Sequence, residues 1–294
     1  MTDKVEFDID YSAIKVVDEF NSHNFKFPLV LSIPHSGSFL PPDFIKKTAV
    51  SEESLHKNED IYVDELMKKA VDAGICTVKM NVSRVFVDVN RDKIEFDSGM
   101  FYDYPIQENL IRSKRCRYGI GVIHRVNFQG EEIYGGMLSY PQTMMRIRKV
   151  YDVYHKSLQT AINRCIKKFG FCLVLDAHSM PSKICTSVNS AAKIDCCIGD
   201  LFEQSCPKAV SDFLVSALEK NGFATTCNVP YSGAFITFNY CQPRKKIFTL
   251  QLELNRVLYA NEDSLEKSEY FQGISERVCD AVIALAKKMV DFKL

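Results

Sequence analysis

The sequence predicts a three-layer α/β/α protein built around a mixed central sheet. Short apolar runs bounded by Gly or Pro recur along the chain, among them PLVLSI (28–33), FCLVL (171–175) and the longer KIFTLQLELN (246–255). Runs of this kind are how strands buried on both faces look. Between them lie helical periods with their own start and stop signals. Strands and helices alternate, the pattern of a sheet covered by helices on both faces. The chain has 294 residues, 46% hydrophobic and 25% charged. That suffices for one catalytic α/β domain over residues 1–294, and no Pro/Gly/Ser-rich linker, low-complexity run or internal repeat divides it.

The elements follow in order. PLVLSI runs into Pro34-His35-Ser36-Gly37. From Asp60, the spacing of Ile61, Leu66, Met67, Ala70 and Val71 predicts a helix that closes at Gly74. ICTVKM (75–80) and VSRVFVDVN (82–90) read as consecutive strands. Residues 92–141 are rich in Gly, Tyr and Arg without a clear period, and are expected to form a long excursion near the active site. A helical pattern covers 143–169, followed by the strand FCLVLDAHSM. CCIGD (196–200) is a weak strand, and PKAVSDFLVSALEKNG (207–222) a helix with Pro at its start and Gly after its end. FATTCN (223–228), AFITFNY (234–240) and KIFTLQLELN read as strands, and 263–291 as a final amphipathic helix. The two places where strand follows strand, 75–90 and 223–240, predict that the sheet is mixed.

Composition excludes several classes. Lys plus Arg balance Asp plus Glu at 37 each, so net charge points to neither nucleic acid nor an acidic membrane. The basic clusters RSKRCR (112–117) and PRKK (243–246) read as solvated loops. No apolar stretch approaches the ~20 residues of a membrane-spanning helix, and the start MTDKVEFDID is not a signal peptide. Eleven Cys without a CxxC pair fit reduced thiols, with Cys76, Cys172 and Cys227 inside apolar runs. A cytoplasmic protein is expected. The final Phe-Lys-Leu only loosely echoes a peroxisomal tripeptide, since Phe stands where a small residue is wanted. GxSxG, GxxxxGK[ST] and GxGxxG are absent.

Chemistry concentrates at strand ends. LSIPHSG ends in His35 and LVLDAHS in His178, and in open α/β sheets ligands bind beyond the carboxyl ends of strands. Neutral imidazole is the commonest metal ligand, and a catalytic zinc site takes three protein ligands and keeps one position open. The third ligand is either Asp60 or Glu59, at the start of a helix; an N-cap is the structural alternative for Asp60. Asp176 shares a strand face with His178, which suits a carboxylate that orients a ligating imidazole. In TLQLELNR (249–256), Leu250, Leu252 and Leu254 face one side and Thr249, Gln251, Glu253 and Asn255 the other. A carboxylate there is costly unless paired or used, so Glu253 is a candidate general base, with a salt bridge to Arg256 or Arg84 as the alternative. Read as a strand, SRVFVDVNRD puts Arg84, Asp88 and Asn90 on one face and Arg91 at the exit. Arginines there suit a bidentate grip on a carboxylate. Ser179 and His178 would point to opposite faces, which makes them a poor nucleophile–base pair. His23, His56 and His124 are expected in polar loops, and His155 lies in a helical segment.

These residues carry a resemblance. Pro-His-Ser-Gly (34–37), Glu-Asp-x-x-Val-Asp-x-Leu (59–66), Ser-Arg-Val-Phe-Val-Asp-Val-Asn-Arg-Asp (83–92), Tyr-His (154–155), Asp-Ala-His-Ser (176–179), Asn-x-Pro-Tyr-x-Gly (228–233) and Gln-Leu-Glu-Leu-Asn-Arg (251–256) stand in the order of the N-formylglutamate amidohydrolase family. The chain resembles that family over about residues 28–260, departing from its pattern at Ala177 and Ala234, where Gly is common. The resemblance implies a fold like that of zinc carboxypeptidases, of the phosphorylase/hydrolase-like, zinc-exopeptidase-like type. It also implies hydrolysis of the formamide of N-formylglutamate to formate and glutamate. It implies one Zn2+ held by His35, Asp60 and His178, with Glu253 as base. Arg84 or Arg91 would then hold an oxyanion or a substrate carboxylate, with Asn90, Arg125, Tyr231 and Gly233 as substrate-binding residues. Arg112 and Arg244 are reserve cations for a dianionic substrate. The expected partner is thus a small acidic N-acyl amino acid. A deacylase for another N-acyl amino acid or small peptide, or a binding protein retaining the site, are the alternatives.

Overall fold

The computed structural model describes residues 3–105, 113–188 and 193–292. In chain order its strands are β1 (Lys4–Val5), β2 (Val17–Phe20), β3 (Leu29–Ile33), β4 (Cys76–Met80), β5 (Met137–Leu138), β6 (Cys172–Met180), β7 (Cys196–Gly199), β8 (Thr225–Cys227) and β9 (Ile247–Asn255). The helices are α1 (Pro42–Lys47), α2 (Glu52–His56), α3 (Val63–Leu66), α4 (Lys68–Asp72), α5 (Lys114–Arg117), α6 (Tyr140–Arg146), α7 (Asp152–Phe169), α8 (Ser182–Val188), α9 (Lys208–Lys220), α10 (Phe235–Tyr240) and α11 (Phe271–Met289). The described residues group into two compact units. The first comprises Met1–Val17, Gly37–Glu59 and Met80–Lys156, and the second Asp18–Ser36, Asp60–Lys79 and Ser157–Leu294.

The second unit is organised by a seven-stranded mixed sheet in the order β2-β4-β3-β6-β9-β7-β8. β4, β3, β6 and β9 run parallel, and β7 is antiparallel to β9. Both long strands, β6 and β9, are buried at all nine positions. Side-chain alternation divides the faces. Leu29, Leu31 and Ile33, Leu173 and Leu175, and Leu250, Leu252 and Leu254 enter one core with α3, α4, α9 and α11, including Leu66, Ala70, Leu214, Val278 and Leu285. Each buried Leu contributes roughly 1.5–3 kcal/mol. On the opposite face the Cys165 thiol of α7 meets Cys172, and Thr249 Oγ donates to Thr237 O of α10 at 2.7 Å. That second face carries Ser32, Asp176, His178, Gln251 and Glu253 at successive alternate positions.

The first unit holds the β1–β5 pair, α1, α2, α5 and α6, and most of the 92–141 excursion, which is chiefly turns and isolated bridges. Residues 106–112 of that excursion lie outside the described residues.

Several expectations are corrected. Residues 82–90 are not a strand: Val82 makes a single bridge to Phe39, and Phe86 N–H closes a turn onto Ser83 O at 3.1 Å. The physical cause is the Arg84–Asp88 pair. In a strand their Cα atoms would stand ~13 Å apart, whereas the turn brings Nη2 and Oδ2 to 2.8 Å. Of the 234–240 run, Phe235–Tyr240 forms α10 rather than a strand. Ile236, Thr237 and Tyr240 are buried while Phe238 is exposed, a helical stripe that overrides the β preference of the aromatic and branched residues. The sheet is mixed as expected, but through β7, not through the two strand pairs that predicted it. The helix from Asp60 is broken at Met67 into α3 and α4 before Gly74 closes it at φ +103°. The final helix begins at Phe271, not 263. The run from Tyr140 to Phe169 is helical throughout, passing through a π turn at Ile147–Tyr151. Among the described residues, no helix is long and apolar enough to cross a membrane.

Candidate metal centre

The centre lies in the second unit, beyond the carboxyl ends of parallel strands. His35 follows β3 by one proline, and His178 sits near the end of β6. Asp60 N–H donates to His35 O at 3.0 Å, which ties the loop before α3 to the exit of β3. The ligand-type atoms of His35, Asp60 and His178 all lie within 4.8 Å of one another. Asp60 Oδ2 is 2.8 Å from His178 Nδ1 and 3.5 Å from His35 Nδ1. The imidazole centroids are 4.9 Å apart. All three residues are buried, at 2–3% exposure. Two imidazoles and a carboxylate converging on one point are the donor set of a catalytic divalent-metal site with an open position, and these residues could hold such an ion.

His178 and Asp60 are each held from behind. His178 Nε2 faces Asp176 Oδ2 at 2.8 Å, and Ser32 Oγ donates to Asp176 Oδ1 at 2.7 Å. The second nitrogen of the imidazole is thus held by a carboxylate, the usual outer partner of a ligating histidine. Burial opposes protonation of His178, but Asp176, with help from Asp60 and Glu253, prevails and holds its pKa well above the ordinary imidazole value. Arg256 Nη2 stands 3.7 Å from Asp60 Oδ1, and its Nε and Nη2 are each 3.4 Å from Ser179 Oγ. Glu253 pairs in register with His178 across β6 and β9, and accepts a hydrogen bond from Gln251 Nε2 at 2.6 Å.

The sequence-predicted residues divide between the units. His35, Asp60, Asp176, His178 and Glu253 are gathered as described, whereas Glu59 falls in the first unit and bonds His56 Nδ1 at 2.9 Å. The N-cap position of α3 is Tyr62, not Asp60. Arg256, the alternative partner for Glu253, lies against Asp60 and Ser179. Tyr231 is half-buried against Met180, Cys185, Ile194 and Cys197. Gly233 has φ +130°, and a Cβ there would come within 2.8 Å of Leu201 Cδ2, so the turn before α10 requires glycine.

In the first unit, Arg84, Asn90 and Arg91 surround Asp88. Arg84 Nη2 donates to Asp88 Oδ2 at 2.8 Å, Asn90 N–H to Oδ1 at 2.8 Å, and Arg91 Nη2 lies 3.9 Å from Oδ2. His124 is not in a polar loop but fully buried, with Nε2 3.2 Å from Asp88 Oδ2. Burial takes its pKa down to about 4 against the pull of Asp88, so the cluster carries two guanidiniums, one carboxylate and a neutral imidazole. Arg125 bonds Glu132 and lies 3.6 Å from Asp97. His155 Nε2 is 2.9 Å from Val89 O, with its ring 4.2 Å from that of Tyr151. Arg244 is exposed in the second unit, and Arg112 and the last two residues of Phe-Lys-Leu lie outside the described residues.

Sequence reasoning missed Ser32, Gln251 as a partner of Glu253, and buried His124. A signal was present for the first two. A hydroxyl or amide inside a wholly buried strand must find a hydrogen-bond partner, and Ser32 and Gln251 stand on the face that carries the acid and the imidazole.

Comparison with known proteins agrees with this geometry. The sequence profile of the N-formylglutamate amidohydrolase family matches residues 27–260. The chain is 26% identical over 243 residues to N-formylglutamate deformylase of Pseudomonas putida, covering 82% of this chain and 84% of that one. The enzyme of the same name from Pseudomonas aeruginosa is also 26% identical, over 242 residues, with 81% and 84% covered. The crystal structure of N-formylglutamate amidohydrolase from Ralstonia eutropha JMP134 superposes with a TM-score of 0.87 at 26% identity, over 94% of this chain and 99% of that one. An Agrobacterium tumefaciens protein shares the fold at a TM-score of 0.66 and 16% identity, with 94% of each chain covered. With its profile matched over most of its length, this chain belongs to the N-formylglutamate amidohydrolase family.

Proposed function

We propose that the protein is a zinc-dependent amidohydrolase that converts N-formyl-L-glutamate to formate and L-glutamate. The observation that carries this is the buried His35–Asp60–His178 trio, with Glu253 in register beside His178 on the neighbouring strand. The names of the relatives supply the substrate. His35, Asp60 and His178 would hold the ion, and Asp176 would orient His178. Bound there, zinc supplies a Lewis acid for an amide carbonyl and makes water acidic enough to attack near neutral pH.

The chain's own groups do the rest. Glu253 takes a proton from the attacking water and delivers it to the leaving amine as the C–N bond breaks, leaving formate and a free α-amino group. Arg84 and Arg91 are proposed for the substrate's negative charge on their chemistry. They are a buried pair beside Asp88, and a guanidinium suits a bidentate grip on a carboxylate. Asn90, Tyr231 and Gly233 complete the proposed substrate-binding set. Arg125, already facing two carboxylates, is the lesser cation. The described cysteines are all free thiols, which suits a reducing, cytoplasmic setting.

The test is metal analysis of the purified protein followed by a formate- or acetate-release assay over N-formylglutamate, N-formylleucine and N-acetylglutamate. About one divalent ion per chain is expected, lost in the His35→Ala/His178→Ala double variant, with N-formylglutamate preferred. Stoichiometric metal in that variant overturns the ligand assignment. Preference for N-formylleucine removes the acidic side-chain pocket, and preference for N-acetylglutamate makes the enzyme a different deacylase.

A further inference from the structure

We infer that Gln251 is a positioning residue for catalysis: its side-chain amide clamps the Glu253 carboxylate in the orientation from which it exchanges protons. The inference rests on Glu253 being the base, as proposed above. Gln251 and Glu253 are two apart on β9, so their side chains leave the same face of the strand. Gln251 Nε2 donates to Glu253 Oε1 at 2.6 Å, and both residues are buried. The clamp is itself anchored. Thr237 Oγ lies 3.5 Å from Gln251 Oε1, and Thr249 Oγ holds α10 by a 2.7 Å bond to Thr237 O. Thr237 and Thr249 are fully buried, so α10 and β9 form one rigid support.

Chemistry explains why an amide stands here. A carboxylate on a flexible stem has two rotatable bonds beyond its Cβ, and a general base must meet its proton at hydrogen-bond distance. A buried amide fixes the plane of the carboxylate with one neutral donor. An arginine in the same place would add a full positive charge and a bidentate fork. The structure instead sends Arg256 towards Asp60 and Ser179. Gln251 Nε2 is directed at Glu253, which is not one of the three ligand-type residues, so its loss should act on turnover and not on metal retention.

The test compares Gln251→Met, which keeps length and removes the donor, with Gln251→Asn, which keeps the amide but shortens its reach. It uses full-length metal-loaded protein and N-formylglutamate. In each, kcat should fall ~10–100-fold, with KM within about twofold and metal content unchanged. Glu253→Gln is measured beside them, alone and combined with Gln251→Met. If the clamp acts through Glu253, the second substitution costs no more than about twofold in that background. A full additional loss there overturns the inference, as does a rise in KM with kcat retained or a loss of metal in either Gln251 variant. Should one variant fail to fold, the other carries the same prediction. If Glu253→Gln itself keeps near-native kcat, the base assignment fails. If Glu253→Gln is inactive while the Gln251 variants turn over normally, only the clamp fails.

Discussion

Replacing Asp176 tests how far the proposed metal site depends on groups that would never touch the ion. Asp176 is 1% exposed and faces His178 Nε2 with one oxygen at 2.8 Å, while accepting from Ser32 Oγ with the other at 2.7 Å. In Asp176→Asn the new amide keeps the shape. Its carbonyl can accept from His178 and its NH2 can donate to the Ser32 oxygen, so both bonds survive without charge. A hydrogen bond to a charged group is worth about 1.5–3 kcal/mol and a neutral one about 0.5–1.5. The loss is therefore roughly 1–1.5 kcal/mol, about tenfold in zinc affinity or kcat/KM. Asp176→Ala strands the buried imidazole N–H as well, for a further ~1–3 kcal/mol. Ser32→Ala removes a bond to the Asp176 carboxylate but leaves the one to His178, so only part of its ~1.5–3 kcal/mol should reach the metal site, about two- to tenfold. The assay is zinc affinity by competition with a chromogenic chelator at one fixed pH, with steady-state kinetics alongside. The order of damage should be Ser32→Ala, Asp176→Asn, Asp176→Ala, His178→Ala. A loss in Asp176→Asn as complete as in His178→Ala would make Asp176 a ligand, and a Ser32→Ala loss exceeding that of Asp176→Asn would refute the relay.

Two further outcomes are expected. Arg84→Lys or Arg91→Lys keeps the charge and loses the fork, so kcat/KM for N-formylglutamate should fall ~10–100-fold, and less for N-formylleucine at whichever arginine holds the side-chain carboxylate. Equal losses on both substrates at both positions would show that neither arginine reads that carboxylate. His124, with its pKa lowered by burial to about 4, is neutral in the fold but protonates in the unfolded chain below pH ~6.5. Stability from this group is present above that value and is lost as pH falls, by roughly 2 kcal/mol between pH 7 and 5. Urea unfolding of wild type and His124→Gln at those two pH values should reveal the difference, and parallel slopes would refute it.

The sequence by itself determined the parts whose physics is local. A strand buried on both faces must be apolar throughout, so β3, β6 and β9 stand out as runs, and the polar residues that interrupt them mark the chemistry. The two-residue period of a strand is enough to place Asp176 with His178, and Gln251 with Glu253, on common faces. Family motifs extended this to His35 and Asp60. Tertiary structure alone decided what depends on distant segments. Only the sheet order sets β6 beside β9 and brings His178 into register with Glu253, because strand neighbours are chosen by crossovers and core packing rather than by periodicity. Only the loop before α3 sends Asp60 to the histidines and Glu59 to His56. The runs 82–90 and 234–240 look like strands because β-branched and aromatic residues are common to strands and buried turns or helices. A buried ion pair four residues apart bent the first, and a helical stripe of buried residues coiled the second.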